Sequence, residues 1–148
     1  MVPTDNLTIQ LMDSLFNADK LNPSNKVIYE KYRAANNALL SFTKTDIRTL
    51  NSLTFEHLNK YRQFLQQHEI PKISNSEAIF ANRFITKPNG EKISYRDGYQ
   101  LWCNFWDLRN NTMAINIIKN INKYIGKRIV VLTGAQHKNY LKELLDKY

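Results

Sequence analysis

The residues with the types and spacing for chemistry lie near the end of the chain. Ile129-Val130-Val131-Leu132 is a β-branched run, and Thr133, Gly134 and His137 follow it. The run predicts a buried strand, extending over about 128–133. Gly134 suits the tight exit of a strand-to-helix junction. His137 then falls in or just before the first turn of a closing helix, whose Tyr140, Leu141, Leu144 and Leu145 share one side. Open α/β proteins place chemistry at the carboxyl ends of strands. A histidine there is a candidate metal ligand or general base, or else it bonds only a nearby carboxylate or water.

A second candidate is Arg109. A long helix is predicted over about 97–125, with Gly126 as its C′ residue and Lys119 and Lys123 near its negative end. At 100° per residue, Leu101, Trp102, Phe105, Trp106 and Met113 form an arc with Arg109 at its middle, and Asn116 and Asn120 project in nearly the same direction. An arginine centred on an apolar face needs a carboxylate or another anion. Arg109 is therefore expected to be buried beside such a group, or to snorkel at the domain edge. Asp13, Glu30, Asp46, Glu56 and Glu77 are the possible internal partners.

The elements that must position these residues are mostly helical. Apolar spacing predicts helices over about 5–21, from a Ser24 N-cap to about Phe42, and over about 54–68, where Ile70-Pro71 ends the third. Pro88-Asn89-Gly90 is a turn signal between Phe84-Ile85 and Ile93-Tyr95, consistent with a small hairpin or an irregular excursion. These two segments are the visible candidates to pair with the 128–133 strand. The fold class is α/β, mostly helical: three or four helices plus a C-terminal strand-helix unit.

The totals narrow the classes. A chain of 148 residues with 43% hydrophobic residues suits a single globular domain over 1–148. No secretory signal and no membrane-length apolar stretch is visible. The single cysteine, Cys103, excludes an internal disulfide and a Cys-based zinc site. Set among Leu101, Trp102, Phe105 and Trp106, it reads as a buried structural thiol, and a reducing, cytoplasmic setting follows. The net charge of +8 suggests an acidic partner, nucleic acid included, or a solvated basic face.

Two segments together carry a family resemblance. Trp106-Asp107-Leu108-Arg109-Asn110-Asn111-Thr112-Met113-Ala114-Ile115-Asn116-Ile117 precedes Arg128-Ile129-Val130-Val131-Leu132-Thr133-Gly134-Ala135-Gln136-His137. Their order resembles the C-terminal signature of the TraB/Tiki superfamily, which includes erythromycin esterase-like proteins: an Arg-x-x-x-Met-Ala-x-x-Ile helix, then a strand ending in Gly-x-x-His. Asn139-Tyr140-Leu141 is similar to an uncharacterised bacterial branch of that group. The likeness covers about the last 45 residues. It implies a compact α/β fold with a hydrolase-like site. In the metalloprotease members two Gly-x-x-His motifs and acidic residues bind a divalent metal. The second motif maps onto Gly134 and His137, and the family arginine onto Arg109. Asn110 and Asn116 are then expected to support the site from behind.

The first motif, a strand ending in Gly-Thr-x-His, is missing. Gly90, Gly98 and Gly126 follow no apolar strand that leads into a histidine, and His57 and His68 lie on a predicted helix. The chain thus reads as the C-terminal portion of a larger α/β hydrolase, with its partner a missing N-terminal half or a second copy, and weak or no activity alone. A basic binding module and a purely helical interaction protein are the alternatives.

Overall fold

The computed structural model describes residues 4–42 and 46–147. It is mostly helical with one two-stranded hairpin, in the order α1 (Thr4–Asn17), α2 (Pro23–Ser41), α3 (Ile47–Leu50), α4 (Leu53–Phe64), a π-helical turn (Leu65–Glu69), α5 (Ile70–Ser76), α6 (Ala78–Asn82), β1 (Phe84–Thr86), β2 (Lys92–Ser94), α7 (Tyr95–Lys123) and α8 (Ala135–Leu145). The chain divides into two compact units, Met1–Cys103 and Asn104–Tyr148, with the division inside α7. Among the described residues no helix is long and apolar enough to cross a membrane.

In the first unit, the helices bury Met12, Tyr29, Ile70, Ile73, Phe80 and Tyr99 completely. Cys103 is buried and forms no disulfide, as its apolar surroundings predict. Asn22, rather than Ser24, caps α2: its side chain accepts from the Asn25 N–H at 2.9 Å, and Ser24 donates to the same oxygen at 2.8 Å. The cap falls one residue before Pro23 because proline suits the first helical turn, where an N–H has no intrahelical partner. The Asn25 amide then bridges α2 to Ser76 and Glu77, at 2.8 Å each.

The third predicted helix does not end at Ile70-Pro71. The Ile70 N–H bonds the Leu65 carbonyl five residues back, so the turn before Pro71 is wider than an α-turn. That widening gives the proline ring room that a regular helix denies it. The Gln66 carbonyl in this turn accepts the Tyr99 hydroxyl at 3.0 Å. Buried Arg62 pairs with Gln66, and among the described residues its Nε has no hydrogen-bond partner.

Phe84-Ile85 and Ile93 do form a hairpin, in the antiparallel register Phe84↔Ser94, Ile85↔Ile93, Thr86↔Lys92. Gly90 takes the left-handed conformation at φ +85° that the turn requires. Ser94 caps α7, accepting from the Asp97 N–H at 3.0 Å and donating to its carboxylate at 2.7 Å. With Ser94 first and Arg96 next, these bonds hold the Asp97 carboxyl below its ordinary value.

The second unit contains the rest of α7, an irregular connection and α8. Gly126 terminates the turn after α7 at φ +76°, the left-handed geometry expected of a C′ glycine. The predicted strand over 128–133 is corrected: the segment is neither strand nor helix. A strand exists only through its ladder, and the two candidate partners pair with each other. The closing helix does form, as α8.

Candidate functional site

The site is built on two helices of the second unit. Along α7, Trp106, Asn110, Met113, Ala114 and Ile117 recur at spacings of three and four, so they share one face. Asn110 is fully buried and Ala114 nearly so. On α8, His137 lies in the first turn, its N–H bonding the Gly134 carbonyl at 2.9 Å.

Three contacts join the helices there. His137 Nδ1 lies 2.8 Å from Asn110 Oδ1. The His137 ring stacks on Trp106, with centroids 4.5 Å apart and planes 13° from parallel. One turn further along α8, the Tyr140 hydroxyl donates to Asp107 at 3.3 Å.

The amide of Asn110 sets the histidine's tautomer. Its Nδ2 donates to the Trp106 carbonyl at 2.8 Å, one helical turn back. Its Oδ1 therefore faces His137, and an amide oxygen only accepts. His137 must present Nδ1–H to it. In the neutral ring the lone pair then sits on Nε2. Burial, and then the Arg109 charge, push the His137 pKa below its ordinary value. The ring is thus held neutral at pH 7, oriented by an amide on one edge and an indole on its face.

The predicted site residues separate accordingly. His137 and Asn110 are brought together. Gly134 is the N-cap residue of α8; a Cβ there would stand 3.9 Å from His137 Cδ2, an ordinary contact. Its φ of −65° and ψ of 144° are open to any residue, so the junction does not use glycine's conformational freedom. Asn116 is not joined to His137. It is exposed, and its carbonyl accepts from the Asn120 amide at 2.8 Å.

Arg109 is corrected from a buried to an exposed residue. The apolar arc that centred on it is not the packed face. Leu101, Phe105 and Leu108 are exposed, whereas the buried line runs about 100° away, through Asn110 and Ala114. The amide on that line meets His137 of α8, and the cation one position back stays in water. Trp106 was legible only as part of the apolar arc. Its place four residues before Asn110 is the signal that it shares the amide's face.

A metal does not fit this donor set. Among the described residues no group of three His, Cys, Asp or Glu side chains is placed to hold one. One imidazole nitrogen falls short of the three protein ligands usual at a catalytic zinc. The nearby Arg109 charge opposes a cation further. Comparison of the chain with known protein families, curated proteins and solved structures finds no match.

Proposed function

We propose that the chain is a TraB/Tiki-like hydrolase-family protein in which His137 is the general base and Arg109 binds an anionic group of the substrate. The supporting observation is the Asn110–His137 hydrogen bond, which assigns the lone pair to Nε2 of a neutral imidazole. Such a nitrogen can take a proton from water as the oxygen attacks a carbonyl or phosphoryl centre. The exposed Arg109 guanidinium supplies a fork for carboxylate, phosphate or a developing oxyanion. One base and one cation are part of what hydrolysis uses, so activity of the chain alone is weak or undetectable.

The test is hydrolysis of an activated ester, p-nitrophenyl acetate, by the parent chain, His137→Ala and Arg109→Ala. A slow rate that rises as His137 deprotonates below pH 6.5 and falls to the buffer rate in His137→Ala is expected. An unchanged rate in His137→Ala overturns the assignment. Calorimetric titration with manganese, cobalt and zinc should show weak binding or none. Micromolar binding abolished by His137→Ala would mean that a full ligand set exists.

A non-enzymatic binding role is the second reading. It rests on the charge of one stretch: Leu108 to Lys142 contains seven Lys and Arg residues and no Asp or Glu. Steep loss of affinity for an acidic partner with salt would favour it.

A further inference from the structure

We propose that residues 129–133 become an edge strand on capturing an extended, acidic-flanked segment of another polypeptide by β-strand addition. This role needs nothing from His137.

The backbone identifies the kind of occupant. Among the described residues, the peptide groups of Ile129, Val130, Val131, Leu132 and Thr133 make no hydrogen bond. The segment is nonetheless tethered at both ends. The Lys127 N–H bonds the Tyr124 carbonyl at 3.0 Å, and α8 starts at Ala135 with the His137 N–H on the Gly134 carbonyl at 2.9 Å. Five consecutive non-proline residues thus offer donors and acceptors along a line. Another strand satisfies both kinds in one ladder.

The side chains point the same way. Val130 is 79% and Leu132 94% exposed, and with Ile125 at 85% they are the most exposed of the large apolar residues described in this unit, ahead of Leu108 at 65%. Ile129 and Val131 are more covered. All four residues from Ile129 to Leu132 line an apolar groove of about 440 Å³ with Asn116, Ile117, Asn120 and Tyr124. Exposed β-branched and aliphatic residues fit a pleated, partnered surface rather than a solvated loop.

Charge chooses among strands. Lys127 and Arg128 are exposed at the start of the segment, with exposed Lys119 and Lys123 on the last turns of α7. A second copy of the chain would bring the same basic groups to the interface. The strand that fits is apolar at alternate positions and carries Asp or Glu at the end lying beside Lys127 and Arg128.

Fluorescence anisotropy with labelled ten-residue peptides tests this on the full chain. The probes are an alternating Val/Thr peptide with acidic ends, its counterpart with lysine ends, and an acidic version with two prolines. The acidic alternating peptide is expected to bind at least tenfold more tightly than either control. Among the amides, those of 129–133 should show the largest NMR shifts. Val130→Pro and Val131→Pro each remove a ladder donor, on opposite edges, so at least one should abolish binding with the helical circular dichroism unchanged. Lys127→Glu with Arg128→Glu should reverse the preference toward the lysine-ended peptide. Equal binding of all three peptides overturns the proposal. So does tighter binding of single-stranded DNA that both proline variants retain. Concentration-dependent dimerisation lost in the proline variants, with no peptide binding, would replace the partner strand by a second copy and also overturn it.

Discussion

Replacing Asn110 with alanine removes one side chain and two hydrogen bonds, and the consequences at His137 can be worked out separately. The lost bonds are Nδ2–H to the Trp106 carbonyl and the His137 Nδ1–H to Oδ1, each 2.8 Å long. At about 1 kcal/mol net apiece they total about 2 kcal/mol. Alanine's better helix propensity returns about 0.5 kcal/mol or slightly more. The Trp106 carbonyl keeps its backbone partner, and half-buried His137 can recruit water, so no fully buried group is orphaned. Urea unfolding should therefore show a loss of about 1–2 kcal/mol. The more telling readout is the ring. Two-bond ¹H–¹⁵N spectra of the parent should show the proton on Nδ1, and Asn110→Ala should release it to a mixture of tautomers. Asn110→Asp should keep the proton on Nδ1, and the new carboxylate should raise the His137 pKa by about 1 unit or more. The pH dependence then changes sign. In the parent the folded pKa lies below the ordinary 6.5, so this group's stability contribution is present above 6.5 and lost as pH falls through the folded value. In the Asn110→Asp protein a raised folded pKa would place the contribution below the unfolded value, lost as pH rises through the folded one. A ring whose tautomer and titration are the same in all three proteins would refute the claim that Asn110 sets them.

Two further outcomes concern the rest of the molecule. Burial is the largest cause raising the hydroxyl pKa of Tyr29, Tyr32 and Tyr99 above 10.0; Asp13 adds to it for Tyr29, and Arg62 works against it for Tyr32. These three of the eight tyrosines should ionise only as the chain unfolds, so their absorbance step at 295 nm should coincide with loss of helical circular dichroism. Separate transitions would refute this. Stability from these groups is present below pH 10 and lost as pH rises toward their folded values. Gly126→Ala forces a Cβ into φ +76° with nothing within 4 Å of it, so the cost should be backbone strain alone, about 1 kcal/mol. Gly134→Ser, at an extended N-cap with no side-chain acceptor, should instead stabilise α8 by some tenths of a kcal/mol or more. A denaturant midpoint moving the other way for either variant would refute the respective reading.

Much of the scaffold was legible because it is local. The long α7, its glycine terminator and the turn at Asn89-Gly90 follow from periodicity and conformational preference over a few residues. The helix expected to stop at Pro71 was misread for a local reason of another kind. A proline breaks an α-turn, but periodicity carries no sign that one wider turn will accommodate it. At the site, His137 was found by its place after Gly134, and Asn110 by its place in the helix motif. Their hydrogen bond depends on how α8 returns along α7, which neither segment encodes alone.

The error over Arg109 shows why a hydrophobic arc is a poor guide in this helix. Large apolar residues occur almost all round α7, so their mean direction says little about which side is packed. Asn110 and Ala114 mark the buried line of α7, and burial of an amide is tolerable there because both its edges are bonded. The same logic bears on 128–133. A run of Ile129, Val130, Val131 and Leu132 encodes the preference for extended backbone, and the segment forms neither helix nor turn. Whether it becomes a strand depends on a second chain segment at about 4.7–4.9 Å, a property no single run contains. The exposed Val130 and Leu132 are where local preference and missing pairing disagree most. A partner strand would remove that disagreement, because its ladder supplies the pairing the segment lacks.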